Sequence, residues 1–441
     1  MTLPIMLNRK LSATKTTTAT HKVEHLPGGL TTVLLPLREG RSVSIGVWVR
    51  AGGRHEDPKL SGVSHFLEHV VFKGTARRSC EALKQAVEGI GGSLNAFTAE
   101  EHTCYMAKVP RRYAQRALSV LTDLVIRPRL AARDIEKERE VILEEIRMYE
   151  DAPAQNVMDL MNELMWPNHP LGMLLSGTID TVRRLKRLDL VDYWRRMYQA
   201  QNCVVAAAGA FDAGQMRAWI AREFRGQRRG KASRFLAAPR PPRASRVRVW
   251  KKPTEQTHVC MGIFAVPRTH PDRFALEILH VILGANMSSR LFREVREKRG
   301  LVYEIGTSIK RYDDTGAFVI AAGCDQAKLP ETLRTIVAEL SRMRRAPVGP
   351  TELKRAKEFY AGQLEIGLED TMEHMLWVGE HVTSVGRAPD IGALLRHLQA
   401  VSAADLRRVA RKLFVPERVH LAVVGSVAEA DASRWLSAAP W

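Results

Sequence analysis

An internal repeat is the feature of this 441-residue sequence that most constrains its fold. Each half contains an apolar strand followed by a helix, and each half closes with a polar helix and a second apolar strand, at a shift of roughly 210 residues. The predicted strands read SIGVWVRAGG and CVVAAAGAF in the first half, and VCMGIFAVPR and HLAVVGSVA in the second. This order predicts a duplicated α+β unit, with one copy in each half.

The segment between the two copies has a different composition. RGQRRGKASRFLAAPRPPRASR, from Arg225 to Arg246, is rich in Gly, Pro and Arg and has no apolar period. Such a segment is typical of an exposed linker. The sequence therefore predicts an N-terminal domain over residues 1–225, a linker over 226–246 and a homologous C-terminal domain over 247–441.

Three titratable side chains interrupt the apolar segment that follows the first strand. In SGVSHFLEHVVFKGT, a helix places His65, Glu68 and His69 within about 100° of arc, and apolar residues cover the rest of its circumference. When His280 of the second copy is aligned with His69, Leu276 and Leu279 take the places of His65 and Glu68. The fold therefore does not require the polar trio, which indicates a chemical role.

That role is metal binding. Two histidines at i and i+4 can chelate one zinc ion through their neutral ring nitrogens, and a carboxylate on the same face can reach a water held beside the metal. The order His-x-x-Glu-His is the reverse of the more common zinc-protease order. A lone buried histidine is usually a satisfied core residue, but two histidines and a glutamate on one apolar face favour a metal site.

The third ligand is predicted in Ala131–Asp151. Glu138 and Glu145 lie within the apolar face of this helix, whereas its other glutamates point away. A carboxylate on a buried face costs several kcal/mol unless it is paired or bound to a metal. Glu145 is taken as the ligand and Glu138 as its support, although helix geometry alone allows the two to be exchanged.

These motifs closely resemble those of the pitrilysin/insulinase metallopeptidases, the inverzincins. The segments that carry the resemblance are His-x-x-Glu-His, the glutamate of EREVILEEI about 75 residues later, Gly53, Arg54, Glu56 and Gly62 before the motif, and FKGT, GGSLNAFT, HPLG and SSRLFREVREKRGLVYEIG after it. The resemblance runs from about residue 22 to about residue 430. The chain length and the single half with a complete motif resemble the mitochondrial processing peptidases and their bacterial relatives.

The resemblance implies a role for each residue of the site. His65, His69 and Glu145 would bind one zinc ion, Glu68 would be the general base, and Glu138 would be an auxiliary glutamate. It also implies two homologous α/β-roll domains, each with a mixed, mostly antiparallel sheet flanked by helices. The C-terminal domain would carry no metal ligands.

Two further pairs follow from the same resemblance. Arg296 and Tyr303 match residues of the other half-barrel that hold the substrate and stabilise the developing oxyanion; the simpler interpretation is a surface charge and a core aromatic residue. Asn95 and Ala96 match the strand to which the substrate adds as an antiparallel partner, although by themselves they are an ordinary strand edge.

The resulting prediction is a zinc metalloendopeptidase that hydrolyses unfolded peptides or small proteins inside a clamshell chamber. The chamber would form from two chains, as a homodimer or as a heterodimer with a related chain that lacks the zinc motif. Arg296 and Tyr303 would then complete the partner's site. Two alternatives are a non-catalytic peptide-binding partner subunit and a basic, polyanion-associated protein.

The net charge of +19 favours anionic partners in general. We expect a solvated arginine coat and no nucleic-acid partner, because no nucleic-acid-binding motif is present and only 6% of residues are aromatic. The same charge favours an acidic or neutral peptide substrate over the basic presequences that mitochondrial processing peptidases accept.

The remaining composition predicts a cytoplasmic protein. The five cysteines are widely spaced without a CxxC motif, which is typical of reduced thiols. No segment approaches the roughly 20 apolar residues of a membrane span, and the N-terminus lacks a secretory signal. Because the N-terminus is acid-free before Glu24, an organellar transit peptide stays open as an alternative to a short disordered arm.

Overall fold

A computed structural model describes residues 22–242 and 244–441. The predicted N-terminal arm or transit peptide lies almost entirely outside these ranges. Within them, the strands form two sheets, one in each half of the chain.

The first sheet has six strands in the order β1-β2-β6-β3-β5-β4, and the second has five in the order β7-β11-β8-β10-β9. The strands are β1 Lys22–His25, β2 Thr31–Pro36, β3 Ser42–Val49, β4 Ser93–Thr98, β5 Thr103–Pro110, β6 Cys203–Gly209, β7 Val247–Lys251, β8 Thr257–Ala265, β9 Val302–Arg311, β10 Gly316–Cys324 and β11 Val419–Gly425.

The helices of the first half are α1 Val63–Val71, α2 Cys80–Val87, α3 Ala114–Ile126, α4 Ala132–Glu150, α5 Pro153–Met165, α6 Ile179–Arg184, α7 Arg187–Met197 and α8 Ala213–Glu223. Those of the second half are α9 Arg273–Leu283, α10 Leu329–Arg345, α11 Pro350–Gly367, α12 Thr371–Val385, α13 Ile391–Ala400, α14 Ala403–Leu413 and α15 Glu429–Ser437. No helix of the described ranges is both long and apolar enough to span a membrane.

The two sheets share one topology. Apart from the additional strand β1, the order β2-β6-β3-β5-β4 corresponds to β7-β11-β8-β10-β9. In each sheet one pair is parallel, β2 with β6 and β7 with β11, and the other pairs are antiparallel. The predicted fold class, two homologous mixed and mostly antiparallel units flanked by helices, is confirmed.

Each half lends one helix to the sheet of the other half. On α5, Met161 and Met165 pack with Cys260 and Phe264 of the second sheet. On α12, Met375 packs with Trp48 and other side chains of the first sheet. Each sheet therefore has one face covered by its own half and the opposite face covered by a helix from the other half.

Glycines in matching strands permit this close packing. Gly46 of β3 lies directly under the Met375 sulfur, and Gly262 of β8 lies directly under the Met161 sulfur, so a Cβ at either position would overlap the methionine. On the helix side, Gly379 faces the Trp48 indole with the same lack of space. The repeat in sequence thus includes the glycine on which the exchanged helix rests.

The segment between the halves, Arg225 to Arg246, forms no helix or strand in its described residues, and part of it is held in place. The Arg54 guanidinium, 1% exposed, donates to the carbonyl of Leu236 at 3.0 Å and lies 3.9 Å from the centre of the Phe235 ring. The same guanidinium binds Glu101 and Asp314, both at 2.6 Å. One buried arginine therefore joins the first half, the linker and the second half. The boundaries at residues 225 and 247 stay predictions.

Candidate metal centre

The helix that carries the trio begins at a buried carboxylate. Glu56 accepts hydrogen bonds from the backbone N–H groups of Gly62 at 2.7 Å and Ser64 at 2.8 Å, which are unpaired donors of the first turn. Gly62 has φ +92° and lies so close to the Ser176 carbonyl that a Cβ would be 2.6 Å from it. Glu56 and Gly62 thus fix where α1 starts and how it is turned.

The second helix of the site presents its glutamates as the sequence predicts. On α4, Glu138 is buried and Glu145 is half-buried, while Glu136, Glu140 and Glu144 are exposed. Because α1 packs against α4, the two buried-face carboxylates meet the histidines of α1.

Three ligand-type side chains converge there. Nε2 of His65 lies 3.8 Å and Nε2 of His69 lies 3.5 Å from Oε2 of Glu145. The ligand atoms of the three residues all lie within 4.8 Å of one another. Ligands about 2.1 Å from one tetrahedral zinc ion are roughly 3.4 Å apart, so the spacing and the donor set both fit zinc. The other ring nitrogen of His65 is buried and has no partner among the described residues.

The structure gives different neighbours to the two glutamates that helix geometry left exchangeable. Oε2 of Glu138 lies 3.4 Å from Nδ1 of His69, on the side of the ring opposite Nε2, and Oε1 of Glu138 lies 2.6 Å from Nζ of Lys73. Glu145 faces the Nε2 atoms of both histidines. This geometry favours Glu145 as the third ligand and Glu138 as the residue that supports the ligands. Both roles in metal binding stay predictions.

Burial and neighbouring charges set the protonation of the histidines. Burial, together with the adjacent His69, lowers the pKa of His65 to about 4, so its imidazole is neutral at pH 7. Burial also opposes a charge on His69, but the Glu138 hydrogen bond and the Glu145 and Glu68 carboxylates outweigh it and raise the pKa of His69. Conversely, His69 and Lys73 outweigh burial and lower the pKa of Glu138. A metal cation at this site would therefore meet the neutral imidazole of His65 and the carboxylate of Glu145.

Glu68 lies beside the convergent ligands and is held by a residue that sequence reasoning did not assign. Oγ1 of Thr98, at the end of β4, donates to Oε2 of Glu68 at 2.7 Å. Burial raises the pKa of Glu68 despite this hydrogen bond. Thr98 belongs to the quoted segment GGSLNAFT, but nothing in that pattern distinguishes it from a strand threonine.

A cleft of about 900 Å³ opens from this site. In the first half it is lined by residues of α5 and by His65, Thr98, Glu145 and Tyr149. In the second half it is lined by Trp250 and Lys310. Of the charged residues that line it, five are carboxylates and one is a lysine: Glu100, Glu145, Glu150, Asp159, Glu163 and Lys310. The cleft is therefore acidic although the whole chain carries +19.

Arg296 and Tyr303 lie close to one another but do not line this cleft. Arg296 belongs to the π-helical turn Phe292–Glu297, and its guanidinium lies 5.3 Å from the centre of the Tyr303 ring. Tyr303 is 76% exposed at the start of β9, so it is not a core aromatic residue. The predicted substrate role of the pair is not tested by these positions.

Asn95 and Ala96 lie in β4, which is one of the two edge strands of the first sheet. Asn95 is exposed and Ala96 is half-buried. An outermost strand presents main-chain N–H and C=O groups to which another strand can add. Their role in holding a substrate stays a prediction.

In the second half the corresponding helix has no ligand set. Leu276 and Leu279 of α9 are buried in the core, and Nδ1 of His280 lies 2.7 Å from Oγ1 of Thr307. In the described ranges, the trio of His65, His69 and Glu145 is the only group of histidine, cysteine and acidic residues close enough to hold a metal ion. The fold and this site together define the class of metallopeptidase-like proteins with a duplicated α+β fold and an inverted His-x-x-Glu-His helix.

Comparisons with known proteins agree. The family model described as "Insulinase (Peptidase family M16)" matches residues 32–179, and that described as "Peptidase M16 inactive domain" matches residues 184–360. The chain belongs to this insulinase family of peptidases.

Similar proteins are found in several bacteria. An uncharacterized zinc protease of Streptomyces coelicolor is 36% identical over 93% of this chain and 90% of its own length. One of Bacillus subtilis is 34% identical over 86% of this chain and 91% of its own length. The crystal structure of a protease from Helicobacter pylori, 22% identical, covers 92% of this chain and 100% of its own with a TM-score of 0.87, and therefore shares the fold.

Proposed function

We propose that this protein is a zinc-dependent endopeptidase that hydrolyses unfolded peptides or small proteins. The observation that carries the proposal is the convergence of the two histidine Nε2 atoms on Glu145, with Glu68 beside them and a cleft of about 900 Å³ in front. His65, His69 and Glu145 would hold one zinc ion. When bound, zinc lowers the pKa of water toward about 7 and polarises a peptide carbonyl.

Glu68 is the proposed general base. Its carboxylate would accept a proton from the attacking water at one oxygen and pass it to the leaving amine. Thr98 donates to Oε2 of Glu68 and so orients the carboxylate. The raised pKa of Glu68 brings it closer to working pH, which suits a group that must both take up and release a proton.

The experiment that tests this proposal compares Glu68→Gln with the unchanged chain. We expect Glu68→Gln to retain zinc, measured by elemental analysis, and to lose turnover of a fluorogenic peptide library by a factor of about 100 or more. Glu144→Gln, an exposed change on α4, is the matched control and should cleave normally. Chelation should abolish cleavage and zinc add-back should restore it. Cleavage by Glu68→Gln at the native rate would show that Glu68 is not the general base.

The cleft charge supports a cationic substrate. Apart from Glu145, which would be bound to zinc, four carboxylates and one lysine line it, and Nζ of Lys310 lies 3.5 Å from Oε1 of Glu100. This distribution does not support the acidic or neutral substrate that net charge favoured, because the excess cations lie outside the cleft. When two peptides differ only in the sign of the charge on the residues that flank the cleaved bond, we therefore expect the peptide with basic residues to be cleaved faster.

The assembly and location stay proposals. The proposed homodimer would let the exposed pair of Arg296 and Tyr303 act on a partner's site, since neither residue lines the cleft of its own chain. A heterodimer with a related chain that lacks the motif would use the same surface. The cytoplasmic location remains a prediction from composition.

A further inference from the structure

A lysine outside the motif contacts the metal centre through Glu138. Lys73 follows α1 in the FKGT segment, and its Nζ lies 2.6 Å from Oε1 of Glu138. The other oxygen of the same carboxylate lies 3.4 Å from Nδ1 of His69. In the described ranges, Lys73 is the only lysine or arginine that pairs with Glu138. The three side chains therefore form a chain from the solvent edge to a proposed ligand.

The environment of Glu138 explains why it needs this cation. Glu138 is 5% exposed, and the carboxylates of Glu68 and Glu145 also lie near His69. An uncompensated buried carboxylate is strongly disfavoured. The Lys73 ammonium compensates its charge and also fixes one oxygen, so the second oxygen is directed at the His69 ring.

The orientation of that ring matters for a metal. A hydrogen bond from Nδ1–H to a carboxylate fixes the tautomer of a ligating histidine and leaves the Nε2 lone pair free. Nε2 of His69 is the atom that faces Glu145 at 3.5 Å. A carboxylate free to rotate away from Nδ1 would leave the ring free to rotate as well.

The loop itself is held by other groups. The backbone carbonyl of Lys73 accepts from Nη2 of Arg129 at 2.9 Å, and Arg129 also binds Asp134 at the start of α4 at 2.7 Å. The Lys73 backbone N–H donates to the Val70 carbonyl at 3.0 Å. These contacts do not involve the Lys73 side chain, which is 35% exposed, so replacing it leaves the loop anchored to both helices.

We infer that Lys73 is a positioning residue of the metal centre, which holds Glu138 so that Glu138 holds the His69 ring for zinc. The inference rests on the proposed zinc site and adds to it the residue that orients the ligand from outside the motif. In the part of the chain that the structure describes, no ion pair joins Lys73 to any of the three proposed metal ligands, so Lys73 acts through Glu138.

A double-mutant cycle on zinc affinity tests this. Zinc dissociation constants are measured by competition with a chelator of known affinity for the unchanged chain, Lys73→Met, Lys73→Arg, Glu138→Gln and the Lys73→Met/Glu138→Gln pair. We expect Lys73→Met to weaken zinc binding about 10-fold, the low end of the effect of residues that support metal ligands. Lys73→Arg should restore most of the affinity, and the pair should bind no more weakly than Glu138→Gln alone. Lys84→Met, an exposed change on α2, is the control.

Each outcome of this experiment either supports or overturns the positioning role of Lys73. Additive losses in the pair would mean that Lys73 acts independently of Glu138 and would overturn the inference, as would unchanged affinity in Lys73→Met. Absence of zinc binding in the unchanged chain would remove the proposed function and the inference together, whereas normal binding there with no effect of Lys73→Met would remove the inference alone. Circular dichroism melts of the zinc-free variants separate loss of folding from loss of affinity, and Lys73→Arg keeps the test open if Lys73→Met fails to fold.

Discussion

At the scale of single residues, Glu138 and Glu145 illustrate how neighbours assign different tasks to similar side chains. Both are glutamates seven positions apart on one face of α4. One is paired with Lys73 and Nδ1 of His69, and the other faces two Nε2 atoms. The side chains are chemically identical, so only their surroundings distinguish a support from a proposed ligand.

Replacing the ligand should therefore cost more than replacing the support. We expect Glu145→Ala to abolish stoichiometric zinc, because two histidines alone do not complete a catalytic site of three protein ligands. Glu138→Gln should weaken zinc binding 10- to 100-fold and keep the metal at saturating zinc. Elemental analysis after gel filtration measures both. Equal zinc content in Glu145→Ala and in the control Glu144→Ala would contradict the assignment.

A buried histidine away from the site predicts a pH dependence of stability. His420 of β11 is fully buried, and its Nδ1 accepts from the Arg246 backbone N–H at 3.1 Å. Burial, together with the charge of Arg246, lowers the pKa of His420 to about 4. The folded state thus holds the neutral form, so its stabilising contribution is complete above the unfolded pKa of about 6.5 and is lost as the pH falls toward 4.

The shift corresponds to about 2 kcal/mol of unfolding free energy lost between pH 7.5 and pH 5. His420→Gln removes the titrating group, and its unfolding free energy should fall less over the same interval. Urea unfolding at the two pH values measures the difference. The same slope in both proteins would show that His420 does not contribute.

At the scale of elements, the exchanged helices α5 and α12 depend on glycines at their contact points. Gly379 lies inside α12, where glycine costs about 1 kcal/mol relative to alanine. A Cβ at Gly379 would overlap the rigid Trp48 indole. Close packing of the helix on the sheet therefore outweighs helix propensity at this residue.

Gly379→Ala should destabilise the protein. The overlap costs about 1–3 kcal/mol, which exceeds the gain of about 1 kcal/mol in helix propensity. Gly362, inside α11, is the matched control because a Cβ there meets nothing within 4 Å. Gly362→Ala should leave stability unchanged or raise it by up to about 1 kcal/mol. Denaturant unfolding measures both changes, and a stabilised Gly379→Ala variant would contradict the packing argument.

At the scale of the whole molecule, the exchange of helices joins the two halves into one unit. Each sheet would expose an apolar face if the other half were removed, since α5 covers the second sheet and α12 covers the first. The buried Arg54 adds ion pairs to both halves. Because Tyr303 lies outside the cleft of its own chain, we predict that any contact it makes with a substrate occurs at the site of a second chain.

Mixing two defective chains tests whether that contact is made in trans. Glu68→Gln lacks the base and Tyr303→Phe lacks the phenol, so each variant alone should cleave slowly. If the two chains of a dimer complete each other's sites, co-refolded equal amounts should recover about a quarter of native activity, because half of the dimers are mixed and each mixed dimer has one intact site. No recovery, with mixed dimers detected by native mass spectrometry, would show that Tyr303 acts in cis, and native activity in Tyr303→Phe alone would show that Tyr303 has no part in the reaction.

Much of this molecule could be read from local patterns. The repeat predicts two equivalent sheets, because strand and helix periods reflect burial of one face at a time. The His-x-x-Glu-His spacing predicts three side chains on one helix face, and the period of α4 separates Glu138 and Glu145 from the exposed glutamates. The two helix-face patterns depend on neighbours within about one or two helical turns.

Only the tertiary structure decided the contacts between segments distant in sequence. The periodicity of α5 and α12 is the same whichever sheet they cover, so their exchange between halves could not be predicted. Thr98 reaches Glu68 from 30 positions away, and Lys73 reaches Glu138 from 65 positions away. The acidic cleft is likewise hidden by a net charge of +19, since total charge does not say which face carries it. The sequence by itself determined which residues share a face, and folding determined which faces meet, because burial patterns report that a side chain is covered but not what covers it.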